Sequence, residues 1–127
     1  MAHSRLIAAV SSAARPRIRK VAPKCELRFV ESGDELLREI EHCDMLILGA
    51  HFDESTAVAA LERVLARRDT LPVVCVRGTG SRYGQRSLHA LRMALNELGA
   101  ANFIDLLEYP DDESGNARVR ALLEHLL

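Results

Sequence analysis

Asp44-Met45-Leu46-Ile47-Leu48-Gly49-Ala50-His51 is the stretch on which the architecture turns. Four consecutive apolar side chains leave neither face of a strand polar. Such a strand has to be covered on both sides, as happens at the centre of a parallel sheet. The segment that follows, residues 53–68, carries Val58, Leu61, Val64 and Leu65 at helical spacing. Asp53, Glu54 and Ser55 stand at its amino end and Arg67-Arg68 at its carboxyl end, each where the helix dipole favours it. A buried strand feeding an amphipathic helix is the unit from which layered α/β folds are built.

The same unit recurs on both sides of this stretch. Upstream, residues 5–10 form a first apolar run, broken by Ser11-Ser12. Arg15-Pro16 fits a helix start and Pro23 an early stop, so the first helix is expected to be short and irregular. Residues 26–30 alternate polar and apolar as an edge strand does, and Ser32 or Asp34 can cap a helix carrying Leu36, Leu37, Ile40 and Cys43. Downstream, residues 71–76 form a fourth strand, with Pro72 placed before a ladder donor is needed. Residues 77–84 read as a loop with three glycines. Residues 86–98 read as a helix burying Leu88, Leu91, Leu95 and Leu98, which Gly99 ends. Residues 102–107 are expected as a fifth strand, and after the acidic turn 109–115, Asn116 or a neighbour caps a last helix reaching Leu127.

Five such units without a long crossover predict a flavodoxin-like (βα)5 doubly wound sandwich. Its five-stranded parallel sheet has the order 2-1-3-4-5, with helices on both faces. Residues 1–127 form a single domain in this reading, and Met1 reads as a natural start. Ligands in such folds gather beyond the carboxyl ends of the strands. Here those ends are Ser11-Ser12, Glu31-Ser32, residues 49–52, 77–81 and 106–108.

Composition narrows the function classes. The chain is 48% hydrophobic and 28% charged with a formal charge of -1, the profile of a globular protein rather than a disordered one. No apolar run approaches the roughly 18 residues of a membrane span, and residues 1–10 are too short for a signal peptide, so a cytoplasmic location is expected. Cys25, Cys43 and Cys75 are odd in number and widely spaced, which predicts reduced, packed thiols. Charge is uneven along the chain. Residues 1–25 hold six cations and no acid, while the remaining 102 hold 11 basic against 18 acidic residues. Without interleaved aromatics, and with an isoelectric point near 6.5, these cations argue against nucleic-acid binding and for a solvated helix face.

Taken together, residues 43–52, the Leu71-Pro72-Val73 opening of the fourth strand through Gly78, and Gly99-Ala100 leading into 102–107 resemble the receiver domain of bacterial response regulators. The resemblance covers essentially the whole chain. It implies two-component signal transduction, in which a receiver takes a phosphoryl group from a histidine kinase. That chemistry needs an aspartate nucleophile, an acid pair holding magnesium, a hydroxyl residue and a lysine to neutralise phosphate charge. Aligned residue by residue, the acid pair falls at Ser11 and Ser12, the nucleophile at Gly49, the hydroxyl at Arg77 and the lysine at Leu106. Phe103 falls where many receivers carry an aromatic that reports activation. The resemblance therefore implies a pseudo-receiver, with no phosphoacceptor and no magnesium site. Its partner would be another signalling protein or effector domain, or a second copy in a homodimer. Receivers dock through the face of the fourth helix, fifth strand and fifth helix, which here offers His89, Arg92, Asn96, Phe103, Arg118 and Arg120.

An alternative is a sensor of small molecules or anions that uses His51, Arg77, Gly78 and Ser81 at the altered strand ends. Arg77 could bind a ligand's phosphate or carboxylate, pair with Asp53, or reach solvent. The loop 78–84 fits no specific phosphate motif. A dinucleotide fingerprint would need a glycine at position 83, a Walker loop would need a lysine after Gly84, and a cysteine-phosphatase loop built on Cys75 would need its arginine at position 81. The five histidines share no metal-ligand spacing with one another or with the cysteines, and no serine-histidine-acid set can be assembled. No enzyme activity and no cofactor are expected. Aromatic content of 4% without tryptophan leaves few rings to hold a flavin.

Overall fold

The computed structural model describes residues 4–50, 52, 57–78 and 85–127. Five parallel strands, β1 (Arg5–Ala9), β2 (Glu26–Phe29), β3 (Met45–Gly49), β4 (Val73–Arg77) and β5 (Asn102–Asp105), form one sheet of order β2-β1-β3-β4-β5. The helices are α1 (Arg15–Val21), α2 (Gly33–Glu39), α3 (Ala57–Arg67), α4 (Gln85–Leu98) and α5 (Glu113–Leu126). This is the flavodoxin-like arrangement that the sequence predicts.

β3 lies at the centre because its side chains tolerate no water on either face. Met45, Leu46, Ile47 and Leu48 are all fully buried, and each contributes about 1.5–3 kcal/mol by leaving water. Met45 and Ile47 join Ile18 and Val21 of α1 and Val119 and Leu123 of α5 on one face of the sheet. Leu46 and Leu48 join Leu36, Leu61, Val64, Leu88 and Leu95 of α2 to α4 on the other. Period-two alternation thus distributes one apolar run between two cores. β2 is the edge strand, and half of its residues are exposed, as its alternating sequence requires.

Local chemistry sets the element ends. Ser32 Oγ accepts the Glu35 amide at 3.2 Å and caps α2. Gly99 adopts φ +113 and ends α4, a conformation that disfavours any residue with a Cβ. Two expected boundaries are corrected. α5 is capped by Asp112, whose Oδ1 accepts the Gly115 amide at 2.8 Å. Asn116 lies one turn further in and is buried, because its side chain is drawn to Arg17 and Asp111. The fifth strand stops at Asp105 rather than 107, because the Asp105 carboxylate accepts the Leu107 amide at 3.0 Å and folds residues 106–108 into a 3-10 turn.

The amino-terminal cations are not simply a solvated face. Arg5 pairs with Glu26, Arg15 with Glu31 and Lys20 with Asp111. Arg19 stacks on Phe29, its guanidinium carbon 4.7 Å from the ring centre. Arg17 turns towards the β5–α5 connection, where it meets four acceptors. Much of the basic stretch is therefore neutralised within the molecule. Among the described residues no helix is long and apolar enough to cross a membrane.

Candidate functional site

The carboxyl ends of β1, β3 and β4 converge on the place where the resemblance puts phosphate chemistry. Ser11 begins a 3-10 turn, Ser12–Ala14, and makes no side-chain cap, while Ser12 is exposed. Gly49 closes β3 with its Cα opposite Val76. A Cβ built on Gly49 would stand 3.2 Å from Val10 Cα and 3.3 Å from the Ala9 carbonyl oxygen, so a side chain here would need the backbone at Ala9–Val10 to give by a few tenths of an ångström. The cavity that remains has a volume of about 20 Å³, enough for roughly one water. Among the described residues it is lined by Val10, Ala14, Ala50 and Val76 together with Ser11, Gly49 and Gly78. Among the described residues no carboxylate lines it. Among the described residues no cluster of three or more His, Cys, Asp or Glu side chains could hold a metal ion.

Arg77 has a partner that the sequence reading did not name. It is the last residue of β4, its Cα is in register with Asp105 at the end of β5, and its Nε donates to Asp105 Oδ1 at 3.0 Å. The two side chains are 13% and 3% exposed, so this is a buried pair, strongly destabilising to break from one side only. Val73 and Cys75 of β4 face α2 to α4, and alternation puts Arg77 on that same side.

Leu106 is 2% exposed and packs into the opposite core, with α1 and α5. Its side chain carries no charge to the strand ends. Its carbonyl accepts Arg17 Nη1 at 2.7 Å. His51 and Ser81 lie outside the described residues, as does Asp53.

Burial makes the thiols poor nucleophiles. Desolvation pushes Cys75 up to about 12, and it also raises Cys43 and Cys25 above the usual thiol range. All three are free thiols.

On the face of α4, β5 and α5, His89, Asn96 and Arg118 are exposed. Arg92 is half-buried, its guanidinium 5.0 Å from the centre of the Phe103 ring, which it shields from solvent. Arg118 covers Tyr109 in the same way, at 5.0 Å. Arg120 does not belong with them, because it reaches the other side of α5 and donates to the Lys20 carbonyl of α1 at 3.0 Å. A cleft of about 100 Å³ opens between α4 and the turn after β5, lined by Leu88, His89, Arg92 and Glu108. Met93 and Leu107 are each 51% exposed. Arg17, Asp105, Leu107 and Glu108 were not singled out from sequence. For Asp105 a signal existed, since it is the one acid in an otherwise apolar run and faces a lone cation at the end of the neighbouring strand.

No protein-family model and no curated protein sequence matches the chain. Among solved structures it is similar to the receiver domain of NtrX from Brucella abortus, with TM-score 0.74 and 19% identity over 97% of each chain. It is also similar to the chemotaxis response regulator CheY4 of Vibrio cholerae, with TM-score 0.73 and 13% identity over 99% of this chain and 100% of that one. A CheY-like receiver domain protein from Methanospirillum hungatei gives TM-score 0.70 and 14% identity over 98% and 94%. These identities speak to fold alone. Strand order, parallel register and these alignments together give the chain the fold of a response-regulator receiver domain.

Proposed function

We propose that the protein is a regulatory module of signal transduction that works without phosphorylation, by docking another signalling protein or effector domain. The observation that carries this reading is the geometry at Gly49. The position expected to bear the phosphoacceptor carboxylate is a glycine whose added Cβ would stand 3.2 Å from Val10 Cα, beside a cavity of about 20 Å³. Ser11, Ser12 and Leu106 supply neither the acids nor the cation that phosphoryl transfer needs. The Arg77 guanidinium at the end of β4 is engaged by Asp105, which weighs against its serving as a ligand anchor.

What persists is a folded scaffold with an accessible face on α4, the turn after β5 and α5. His89, Met93, Asn96, Leu107 and Arg118 are among its exposed members. In a longer solved chain of NtrX from Brucella abortus the matched portion is 27% of that chain, so a domain of this fold can stand within a larger polypeptide. That supports a partner that is an effector domain, in the same chain or another. Intact mass after incubation with acetyl phosphate and magnesium is the first test, and an unchanged mass is expected. A phosphorylated species that hydroxylamine releases would overturn the proposal. Sedimentation over a range of concentrations separates the partner classes: a homodimer shows concentration-dependent mass that Leu107→Asp abolishes, and a chain that docks a different protein stays monomeric.

A further inference from the structure

β2 leaves one edge of the sheet open, with β1 on its inner side. The Glu26 amide donates to Ser4 O at 2.8 Å and the Val30 amide to Ala8 O at 3.2 Å. Even-numbered residues therefore turn their backbone towards β1, and alternation turns the N–H and C=O of Leu27 and Phe29 outward. Among the described residues none hydrogen-bonds these outward groups.

An edge of this kind is commonly guarded by a proline, a bulge or charges that repel a copy of themselves. β2 runs in unbroken register with β1 and contains no proline. Its two charges, Glu26 and Arg28, are of opposite sign and share the face towards α2, with side chains 68% and 60% exposed. Glu26 pairs with Arg5 at 3.4 Å and Arg28 with Glu39 at 3.0 Å. A cleft of about 200 Å³ opens among these pairs, with His42 at its wall, and leaves room beside Glu26 for another side chain.

A second β2 laid antiparallel on this edge has to oppose outward-facing residues to outward-facing residues. With Leu27 opposite Leu27, Glu26 of each copy stands against Arg28 of the other. Shifting by two residues either way sets Arg28 against Arg28 or Glu26 against Glu26, and like charges directly opposed are destabilising. Charge thus selects one register. In that register the pairs Arg5–Glu26 of one copy and Arg28–Glu39 of the other join into a row of alternating sign, which the two-fold axis repeats. On the opposite face Leu27 meets Leu27, and Phe29 meets Cys25. Arg19, stacked on Phe29 at 4.7 Å, then comes to the side of Glu124, which shares a crevice with Cys25. Both faces of the edge are self-complementary.

We propose that a second copy of this chain pairs with β2, antiparallel about a two-fold axis with Leu27 opposite Leu27, so that two sheets become one. A two-fold contact uses the same patch on both copies and closes at the dimer. With so short a strand the dimer is a reversible one. β2 and β5 are opposite edges of the sheet, so this pairing leaves the α4–α5 face open to a different protein and does not depend on how that face is used.

Sedimentation velocity of the whole chain over a wide range of concentration tests it, with circular dichroism confirming that each variant is folded. The parent should shift from monomer towards twice that mass, and Leu107→Asp should shift with it, an outcome distinct from association through the α4–α5 face. Glu26→Arg and Arg28→Glu each place like charges across the edge, so each variant alone should lose the shift. Mixed in equal amounts, the two variants restore opposite charges at every cross-strand position and should regain it. Hydrogen exchange at the Leu27 and Phe29 amides should slow as parent concentration rises, while exchange at Ile47 in the central strand stays constant. A parent that remains monomeric throughout, including one that binds only foreign extended peptides at this edge, would overturn the proposal. So would variants that associate singly as the parent does, or a mixture that fails to associate.

Discussion

Asp105→Ala is the most informative single substitution. Asp105 is 4% exposed, and its carboxylate holds both the Arg77 guanidinium and the Leu107 amide. Removing one member of a buried pair leaves the other charge without that compensation, at a cost of about 3–5 kcal/mol. Loss of the hydrogen bond to the Leu107 amide adds about 1 kcal/mol. Against the roughly 5–15 kcal/mol that holds a domain of this kind together, the expected loss is a large share. It should lower the melting temperature by roughly 10–20 °C. With no tryptophan in the chain, the assay is urea unfolding followed by far-UV circular dichroism. Arg77→Met/Asp105→Leu is the control. Replacing both charges with apolar groups of similar volume should recover most of the loss, because desolvating the pair is itself unfavourable. The reasoning is refuted if Asp105→Ala lies within about 1 kcal/mol of the parent. It is equally refuted if the double variant is as unstable as Asp105→Ala alone.

Other substitutions and conditions probe separate parts of the account. Gly115→Ala would place a Cβ 1.9 Å from the Pro110 carbonyl oxygen, a backbone atom that cannot simply rotate away. It should cost about 3 kcal/mol or more by overpacking, and a urea midpoint equal to the parent's would show that this contact yields. Ellman's reagent should modify half-buried Cys25 first and reach Cys43 and Cys75, 4% and 0% exposed, only after unfolding. Fast labelling of all three thiols in the native protein would contradict the packing described. The Asp111 carboxyl is held below its ordinary range by the Asn116 amide and by Lys20. A depressed folded pKa means that the stabilisation is present above the unfolded value, about 3.9, and is lost as pH falls through the folded one. Asp111→Asn should therefore flatten the fall in urea midpoint between neutral and strongly acidic pH. An unchanged acid limb would remove Asp111 from the stability account.

The fold was legible because hydrophobic periodicity is strong where both faces of a strand are buried. The run from Met45 to Leu48 has no polar residue to permit another reading, and Leu88, Leu91 and Leu95 repeat at helical spacing. Element ends were less legible, because they are decided by competition between side chains. Asp105 looks like a strand residue until its carboxylate is seen to accept the Leu107 amide. Asn116 looks like a cap until Arg17 is seen to claim it. The absence of acids at Ser11, Ser12 and Gly49 could be read directly from the chain. The replacement could not, since nothing local couples Arg77 to Asp105, 28 residues away, except the register of two neighbouring parallel strands. Arg17 is the harder case. Its acceptors are mostly backbone carbonyls, which no side-chain pattern announces.

The central claim is that this scaffold signals without binding magnesium or a phosphoryl group. Its most direct test is a titration with magnesium and beryllofluoride, a phosphoryl mimic, following the amide resonances of Ser11, Gly49, Ala50, Gly78 and Leu107. The account predicts that none of these resonances moves beyond what a matched salt control produces. A saturable, magnesium-dependent shift at Gly49 and Ala50 that propagates to Leu107 would contradict it.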